Sequence, residues 1–356
     1  MRRTICLVLA TLVLAACAGG DSSGSESSHA TEIAALSELR ADPEKYSAEA
    51  AALSLENMTF SQGLSVVFPE ELGEYRVRSI TDFNDSQQAI YDEFLPEGLY
   101  SPEKVTLDQQ FSPVGPTFYD EESGLRLDMG ENGFFVFQTV PEFPLTQDEV
   151  GAPLPHESIY AASSPDDPAA KKALEAVADM TARLKAATGR RDLPVPLCCE
   201  VYSEQGIVYT RLATTYKDTP LFVGETQNGN TGDRLGLYGY DGGFAYTDKE
   251  GSVLGYVNER FLEDVETIKT YDSIVTPASA LKLLSGQLTA GLDLEVKGME
   301  LCYLEVREDE MYKDSIPGAE LELRPYWVVW FGLERVSECC GLVSPDGSEV
   351  YYIDNR

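Results

Sequence analysis

The sequence predicts an α+β protein in which antiparallel sheets carry flanking helices, arranged as two or three small packed modules. Two stretches have capped helical patterns, and short apolar or alternating stretches recur between glycine, proline and aspartate turns. Apolar residues make up 43% of the 356 residues, enough for more than one core. The sequence predicts five divisions. They are a cleaved N-terminal segment (1–16), a tether (17–30), an N-terminal α+β region (31–190), a β-meander (191–275) and a final α+β module (276–356).

The N-terminus resembles a bacterial lipoprotein signal. Arg2 and Arg3 precede the apolar run Thr4–Leu14, which is too short to span a bilayer as a stable helix. The run ends in Leu14-Ala15-Ala16-Cys17, which resembles a lipobox. The resemblance implies cleavage before Cys17 and a diacylglycerol, with acyl chains such as palmitate, on its thiol. The alternatives are an ordinary secretory signal with an incidental cysteine, or a buried core helix.

The segment after Cys17 is rich in glycine and serine and has no apolar face, which indicates a flexible tether over residues 18–30. About 13 residues of such a chain have a root-mean-square length of about 20 Å. We therefore expect the folded part to lie close to the outer face of the cell membrane, held by the lipid anchor.

The charge of the chain is strongly negative, with 27 basic and 60 acidic residues and a formal net charge of -33. Removing Arg2 and Arg3 with the signal would take away two positive charges and leave -35. Such a surface repels nucleic acid and anionic lipid head groups, which argues against nucleic-acid binding and against membrane contact beyond the anchor. It attracts cations or basic partners, or else it only keeps an exported protein soluble.

Helical and strand patterns alternate in the N-terminal α+β region. The strongest helix is Pro168–Ala187, with Asp166 or Asp167 as N-cap and Gly189 as the left-handed C-terminal residue. Its apolar stripe indicates a core face. Weaker patterns predict helices from Thr31 onwards, at Ser47–Leu55 and at Phe83–Leu95, and strands at Leu64–Phe68, Tyr75–Ile80, Leu125–Met129 and Phe134–Val140.

Short strands separated by tight turns follow, as expected for a β-meander over Val201–Val257. In the final module, Thr276-Pro277 predicts the start of a helix that ends near Gly291. The strands predicted after it are Leu294–Val306, Leu321–Phe331, Gly341–Ser344 and Glu349–Ile353.

The final module resembles the PepSY-type and related extracytoplasmic modules of Gram-positive envelope proteins. The resemblance rests on the Thr276 helix start, the strand stretches Leu301–Val306 and Leu323–Val329, and the hairpin Ser344–Tyr351, over about 80 residues. More loosely, the whole chain is similar to uncharacterised lipoproteins of gut clostridia. The resemblance implies a module that binds or modulates a partner, and it carries over no catalytic residues.

Five cysteines besides Cys17 follow the signal, so they cannot all pair within the chain. They are Cys198, Cys199, Cys302, Cys339 and Cys340. The two vicinal pairs do not have the spacing of a metal site. We expect mostly reduced, partly buried thiols; the alternative is one disulfide between the 198/199 pair and the 339/340 pair.

Residues suited to catalysis are scarce. Of the two histidines, His29 lies in the tether and His156 in a proline-rich loop, so neither is expected to be held as a catalytic imidazole. There is no HExxH, no spaced zinc set, no nucleophile elbow and no phosphate loop. We expect no enzymatic activity, no cofactor and no metal.

Acidic clusters and aromatic residues remain as candidates for binding. The acidic clusters Asp120–Glu122 and Glu308–Glu310 could bind calcium, but a solvated loop is the simpler interpretation. A loop with Asn228, Asn230 and Asp233 fails the EF-hand spacing, because Gly239 stands where the closing glutamate belongs. On one strand, Trp327 is expected to point away from Tyr326 and Trp330, and core filling is favoured over a ligand platform.

Three hypotheses follow. The first is a lipid-anchored, non-enzymatic binding or regulatory protein of the cell envelope with a protein or peptide partner, which predicts an apolar or aromatic patch beside an exposed sheet edge. The second is a solute- or cation-binding lipoprotein, and the third is an envelope hydrolase.

Overall fold

The computed structural model describes residues 31–60, 64–83, 85–108, 115–140, 167–202, 204–226, 235–240, 242–288, 294–306, 320–333 and 336–354. They belong to one compact unit, Thr31–Arg356. The described part contains five α-helices: α1 Leu36–Ala41, α2 Pro43–Ala51, α3 Gln87–Phe94, α4 Pro168–Thr188 and α5 Pro277–Gln287. Short 3-10 turns lie at Pro102–Lys104 and Glu131–Gly133.

Twenty strands are described, and with the helices they confirm the α+β prediction. They are β1 Ile33–Ala35, β2 Met58–Phe60, β3 Gly73–Ser79, β4 Val105–Asp108, β5 Gly115–Asp120, β6 Leu125–Met129, β7 Phe135–Gln138, β8 Val195–Tyr202, β9 Ile207–Ala213, β10 Thr215–Tyr216, β11 Thr219–Thr226, β12 Leu235–Tyr240, β13 Phe244–Asp248, β14 Val253–Asn258, β15 Leu262–Thr270, β16 Ser273–Val275, β17 Leu294–Val306, β18 Glu320–Leu333, β19 Val336–Val343 and β20 Val350–Asp354.

An eight-stranded antiparallel sheet has the order β4-β5-β6-β7-β14-β13-β9-β8. In the ten-stranded mixed sheet, six strands follow the order β10-β11-β17-β18-β19-β20. Four further strands pair with members of this row or with one another: β12 with β11, β2 with β17, β3 with β18 and β15 with β3. Its parallel pairs are β11 with β17 and β2 with β17. A separate two-stranded sheet joins β1 to β16.

Each large sheet is covered on one face by helices. Helices α1, α2 and α5 pack on the ten-stranded sheet around Trp327, Leu281 and Leu284. Helices α3 and α4 pack on the eight-stranded sheet around Phe94 and Val177. The two layers bury separate apolar clusters, which is the arrangement that an α+β chain uses to cover sheet faces.

The strong helix predictions are confirmed because their signals are local. The Asp167 carboxylate accepts the N–H of Ala169 at 2.8 Å and caps α4, and Gly189 ends the helix at φ 67°. Thr276 Oγ1 accepts the N–H of Ser279 at 3.3 Å and caps α5. Helix α5 ends at Gln287, before the predicted end at Gly291.

Other predicted elements differ. Leu64–Phe68 is not a strand: the Val66 N–H donates to the side chain of Ser47 in α2 at 3.1 Å instead of to a neighbouring strand. Ile33 lies in β1, paired with Val275. The strands of residues 191–275 are divided among all three sheets, because β10 to β12 and β15 join the ten-stranded sheet and β16 pairs with β1. The boundaries after residues 190 and 275 stay a prediction.

Candidate functional site

Several residues singled out in the sequence lie outside the described residues. They are Cys17, His29, His156, Asn228, Asn230, Asp233 and the cluster Glu308–Glu310. In the described part of the chain, no group of three or more His, Cys, Asp or Glu side chains is placed to hold a metal ion. The same residues include no helix with the length and apolar character needed to cross a membrane.

The acidic cluster at residues 120–122 forms a turn. Asp120 accepts from Lys104 Nζ at 2.7 Å and from the Ser123 N–H at 3.0 Å, and Glu121 and Glu122 are exposed. These hydrogen bonds, first the one from Lys104, lower the pKa of Asp120 to about 2. The carboxylate is therefore already engaged by donors from its own turn and a neighbouring lysine.

The tryptophan strand fills cores on both of its faces. Trp327 is fully buried beneath α5, whereas Tyr326 and Trp330 are buried on the opposite face of β18. The predicted alternation is confirmed, and the three side chains are core residues.

The three thiols that the structure describes are buried. They are Cys199, Cys302 and Cys340. Burial raises the pKa of Cys199, whose Sγ lies 3.2 Å from Thr210 Oγ1, and raises the pKa of Cys302 well above its usual value. The structure does not describe the side chains of Cys198 and Cys339.

Strand β15 is an exposed edge. It pairs with β3 on one side, and among the described strands nothing pairs with its other side. All seven residues from Asp264 to Thr270 are exposed. An open edge presents a row of backbone donors and acceptors to any extended chain that approaches it.

Two bulges interrupt the pairing of β15 with β3. Asp264 lies opposite Val77 and Glu266 opposite Arg76, so Val265 is an extra residue on β15. Ile268 is extra in the same way between Thr267 and Lys269. Both apolar side chains are 40% exposed. Charged side chains and β-bulges both help to protect an exposed edge, and β15 has both, but its two bulge positions carry β-branched apolar residues.

A ladder of ion pairs joins β15 to β3. Arg78 pairs with Glu263, and Arg76 pairs with Glu266 and lies 3.8 Å from Glu320 of β18. Exposed pairs of this kind contribute at most about 1 kcal/mol each to stability. Their main consequence is that Glu263 and Glu266 are neutralised by arginines of the same protein.

The Asp264 carboxylate differs from those of Glu263 and Glu266, because its hydrogen-bond partner is a neutral hydroxyl and not an arginine. The Tyr216 hydroxyl donates to Asp264 Oδ1, and among the described residues no lysine or arginine forms an ion pair with this carboxylate. Asp192 and Asp218 lie near it: the pKa of Asp192 is raised by burial first and then by the charges of Asp218 and Asp264. We call Asp192, Asp218 and Asp264 the acidic corner.

The turn between β10 and β11 is held firmly beside this corner. Lys217 and Asp218 have φ values of 48° and 60°, in the left-handed region that non-glycine residues seldom occupy. The Lys217 N–H donates to Asp192 Oδ1 at 2.8 Å, and its Nζ donates to Glu71 Oε2 at 2.8 Å. These bonds offset the cost of the backbone conformation, and they leave Lys217 engaged with Glu71.

Three buried tyrosines pack together next to the acidic corner. The ring centroids of Tyr75, Tyr216 and Tyr303 are 5.1 to 5.9 Å apart in edge-to-face contacts. Burial is the largest cause that raises the pKa of each phenol, so the hydroxyls stay protonated at neutral pH. The Tyr216 hydroxyl donates to Asp264, and protonated phenols of this kind are poorly suited to act as general bases.

No family model matches the chain, and no curated protein matches it. Among solved structures it is similar to the Bacillus megaterium YpeB C-terminal domain, with a TM-score of 0.33 and 11% sequence identity over 78% of this chain and 100% of that chain. A likeness at this TM-score does not assign a function. The function proposed for the chain therefore rests on the surface around β15.

Proposed function

We propose that the protein is a lipid-anchored, extracytoplasmic binding or regulatory protein of the cell envelope, without enzymatic activity, and that it contacts its partner through the edge of β15. The observation that supports this most is the run of seven exposed residues, Asp264–Thr270, on a strand whose second side pairs with none of the described strands. The exposed apolar side chains of Val265 and Ile268 on this edge support the first sequence hypothesis, which predicts an apolar or aromatic patch beside an exposed sheet edge.

The anchoring part of the proposal depends on the lipobox resemblance. Cys17 is the proposed lipidation site, and the tether over residues 18–30 connects it to Thr31, where the compact unit begins. The C-terminal module, with α5 on β17 to β20, is proposed to be PepSY-like. The partner is proposed to be an envelope protein or peptide, and neither nucleic acid nor a cofactor has a role.

Backbone hydrogen bonds join the first residues of the compact unit to the residues that follow β15. The Thr276 N–H donates to the Glu32 carbonyl at 3.0 Å, and the Leu36 N–H donates to the Asp272 carbonyl at 2.9 Å, two residues after β15 ends. The C-terminal end of β15 therefore lies close to the first residues of the compact unit.

The contact surface is tested by cross-linking in the native cells. A photo-reactive residue replaces Ile268 in the full-length chain, and a matched control replaces Tyr119, which is 41% exposed on β5 of the other sheet. We expect a discrete adduct from position 268 and none from position 119. Equal adducts from both positions, or none from either, would contradict β15 as the contact surface.

The anchor is tested separately. The Cys17→Ala protein should lose incorporation of a fatty-acid label and leave the membrane fraction, whereas Cys302→Ala, which removes a buried thiol, should keep both. A Cys17→Ala protein that still partitions with membranes would refute lipid anchoring.

A further inference from the structure

We infer that the edge of β15 is occupied by an extended, lysine- or arginine-bearing segment of a partner protein, which adds a strand to the ten-stranded sheet and places a basic side chain at the acidic corner. This inference rests on the proposed function and names the chemistry of the partner.

The backbone of β15 favours an extended partner. Because Val265 and Ile268 are bulge residues, β15 runs alongside the seven residues of β3, and at about 3.4 Å each the edge is roughly 24 Å long, enough for an extended segment of about seven residues. Main-chain hydrogen bonds supply much of the affinity in such strand additions, and side chains supply the specificity. Val265 and Ile268 are both exposed, so apolar side chains of the partner have surface to pack against.

Charge favours a basic partner. β15 carries three acids, Glu263, Asp264 and Glu266, and one base, Lys269, so the strand itself has a net charge of -2. Arg78 and Arg76 already pair with two of the acids, whereas Asp264 forms no close ion pair with an arginine or lysine of the described residues, although the charge of Lys217 acts on it from a longer distance. The Tyr216 hydroxyl fixes its orientation, so an incoming ammonium or guanidinium group meets a pre-oriented acceptor.

The same charges disfavour a second copy of this chain as the occupant. Each copy carries a net charge of -33, and long-range repulsion opposes their association. A symmetric antiparallel pair centred on the middle residue of β15 would also place Glu266 opposite its own copy, and like charges directly opposite are destabilising.

The probe is a fluorescent peptide of nine residues that alternates valine or threonine with lysine, measured by anisotropy against the full-length protein. Two matched peptides complete the set: one with glutamate for lysine, and one with alternate backbone amides N-methylated. We expect each change to weaken binding at least about tenfold, the first through charge and the second through loss of main-chain donors. Affinity of the lysine peptide should fall as salt rises, because the pairing charges are exposed.

Two variants locate the contact. Asp264→Asn removes the charge but keeps an oxygen that accepts from Tyr216, and Asp179→Asn makes the same charge change on the exposed side of α4. We expect Asp264→Asn to weaken the lysine peptide about fivefold or more and Asp179→Asn less than about twofold. An equal effect of the two would mean that only the overall charge matters, which overturns the assignment of the corner.

Three further outcomes would overturn the inference. N-methylated and unmodified peptides that bind alike exclude strand addition, and glutamate and lysine peptides that bind alike exclude a basic partner. A dimer in sedimentation that Ile268→Lys abolishes would make a second copy the occupant. A cross-link at position 268 without any peptide binding would refute this inference and leave the proposed contact surface standing, whereas loss of both refutes both.

Discussion

Replacing Trp327 by phenylalanine tests how the ten-stranded sheet is held to its helices. The indole is fully buried, packs edge-to-face on Phe68 at 5.9 Å and donates Nε1–H to the Val275 carbonyl at 3.0 Å. Loss of this hydrogen bond costs about 1 kcal/mol, and the void left by the smaller ring costs about 1 to 2 kcal/mol more. We therefore expect the free energy of unfolding to fall by about 2 to 3 kcal/mol.

The matched control is Trp330→Phe on the opposite face of the same strand, where Nε1–H reaches Glu300 at the longer distance of 3.4 Å. Because the chain has two tryptophans, each variant keeps one as a fluorescence probe for urea unfolding. Trp330→Phe should lower the free energy of unfolding by about 1 kcal/mol less than Trp327→Phe does. A larger loss for Trp330→Phe than for Trp327→Phe would refute the role given to the Trp327 hydrogen bond.

Three further predictions concern local features. Asp167→Ala should lower the free energy of unfolding by about 1 kcal/mol in urea titrations, because α4 loses its N-cap; an exposed mid-helix change, Asp179→Ala, should have little effect. The pKa of Asp120 is lowered from 3.8 to about 2, so its stabilisation is present above pH 3.8 and lost as the pH falls through 2. Asp120→Asn should therefore lower the urea midpoint at neutral pH and lose less on acidification than the parent protein. Cys199, Cys302 and Cys340 should react with a thiol reagent only after denaturant is added, and rapid labelling of the native protein would contradict their burial.

Helices α4 and α5 were predictable because their signals lie within a few residues. A capping side chain, a proline at the first position and an apolar stripe are all visible in the sequence around Asp167 and Thr276. The long strands β17 and β18 were predictable for a similar reason, since each is a continuous stretch with few turn residues. In these elements the local pattern and the tertiary packing agree.

Strand β15 was not predicted as an element, and its role depends on distant residues. Its two bulges shift the alternation at Val265 and Ile268, so no period of two is visible in the sequence. Its partner β3 is about 190 residues away, as the Arg76–Glu266 pair shows. The run of β-branched residues in Val265-Glu266-Thr267-Ile268 was the one available signal.

The acidic corner was also beyond sequence reasoning. Asp192, Asp218 and Asp264 come from a loop, a turn and a strand, and only the fold brings their charges together. With 60 acidic residues in the chain, composition cannot distinguish a carboxylate held by Tyr216 from one neutralised by arginine. That distinction depends on which side chains meet across β3, β10 and β15.

Hydrogen–deuterium exchange of β15 in the full-length protein tests the central claim most directly. In the free protein, the outward-pointing amides of residues 264–270 should exchange fast, because no described strand covers that edge. Addition of the lysine peptide should slow exchange in β15 and leave exchange in β4, an edge strand of the eight-stranded sheet, unchanged. Fast exchange in β15 with and without saturating peptide, or protection that appears elsewhere in the chain, would contradict β15 as the binding edge.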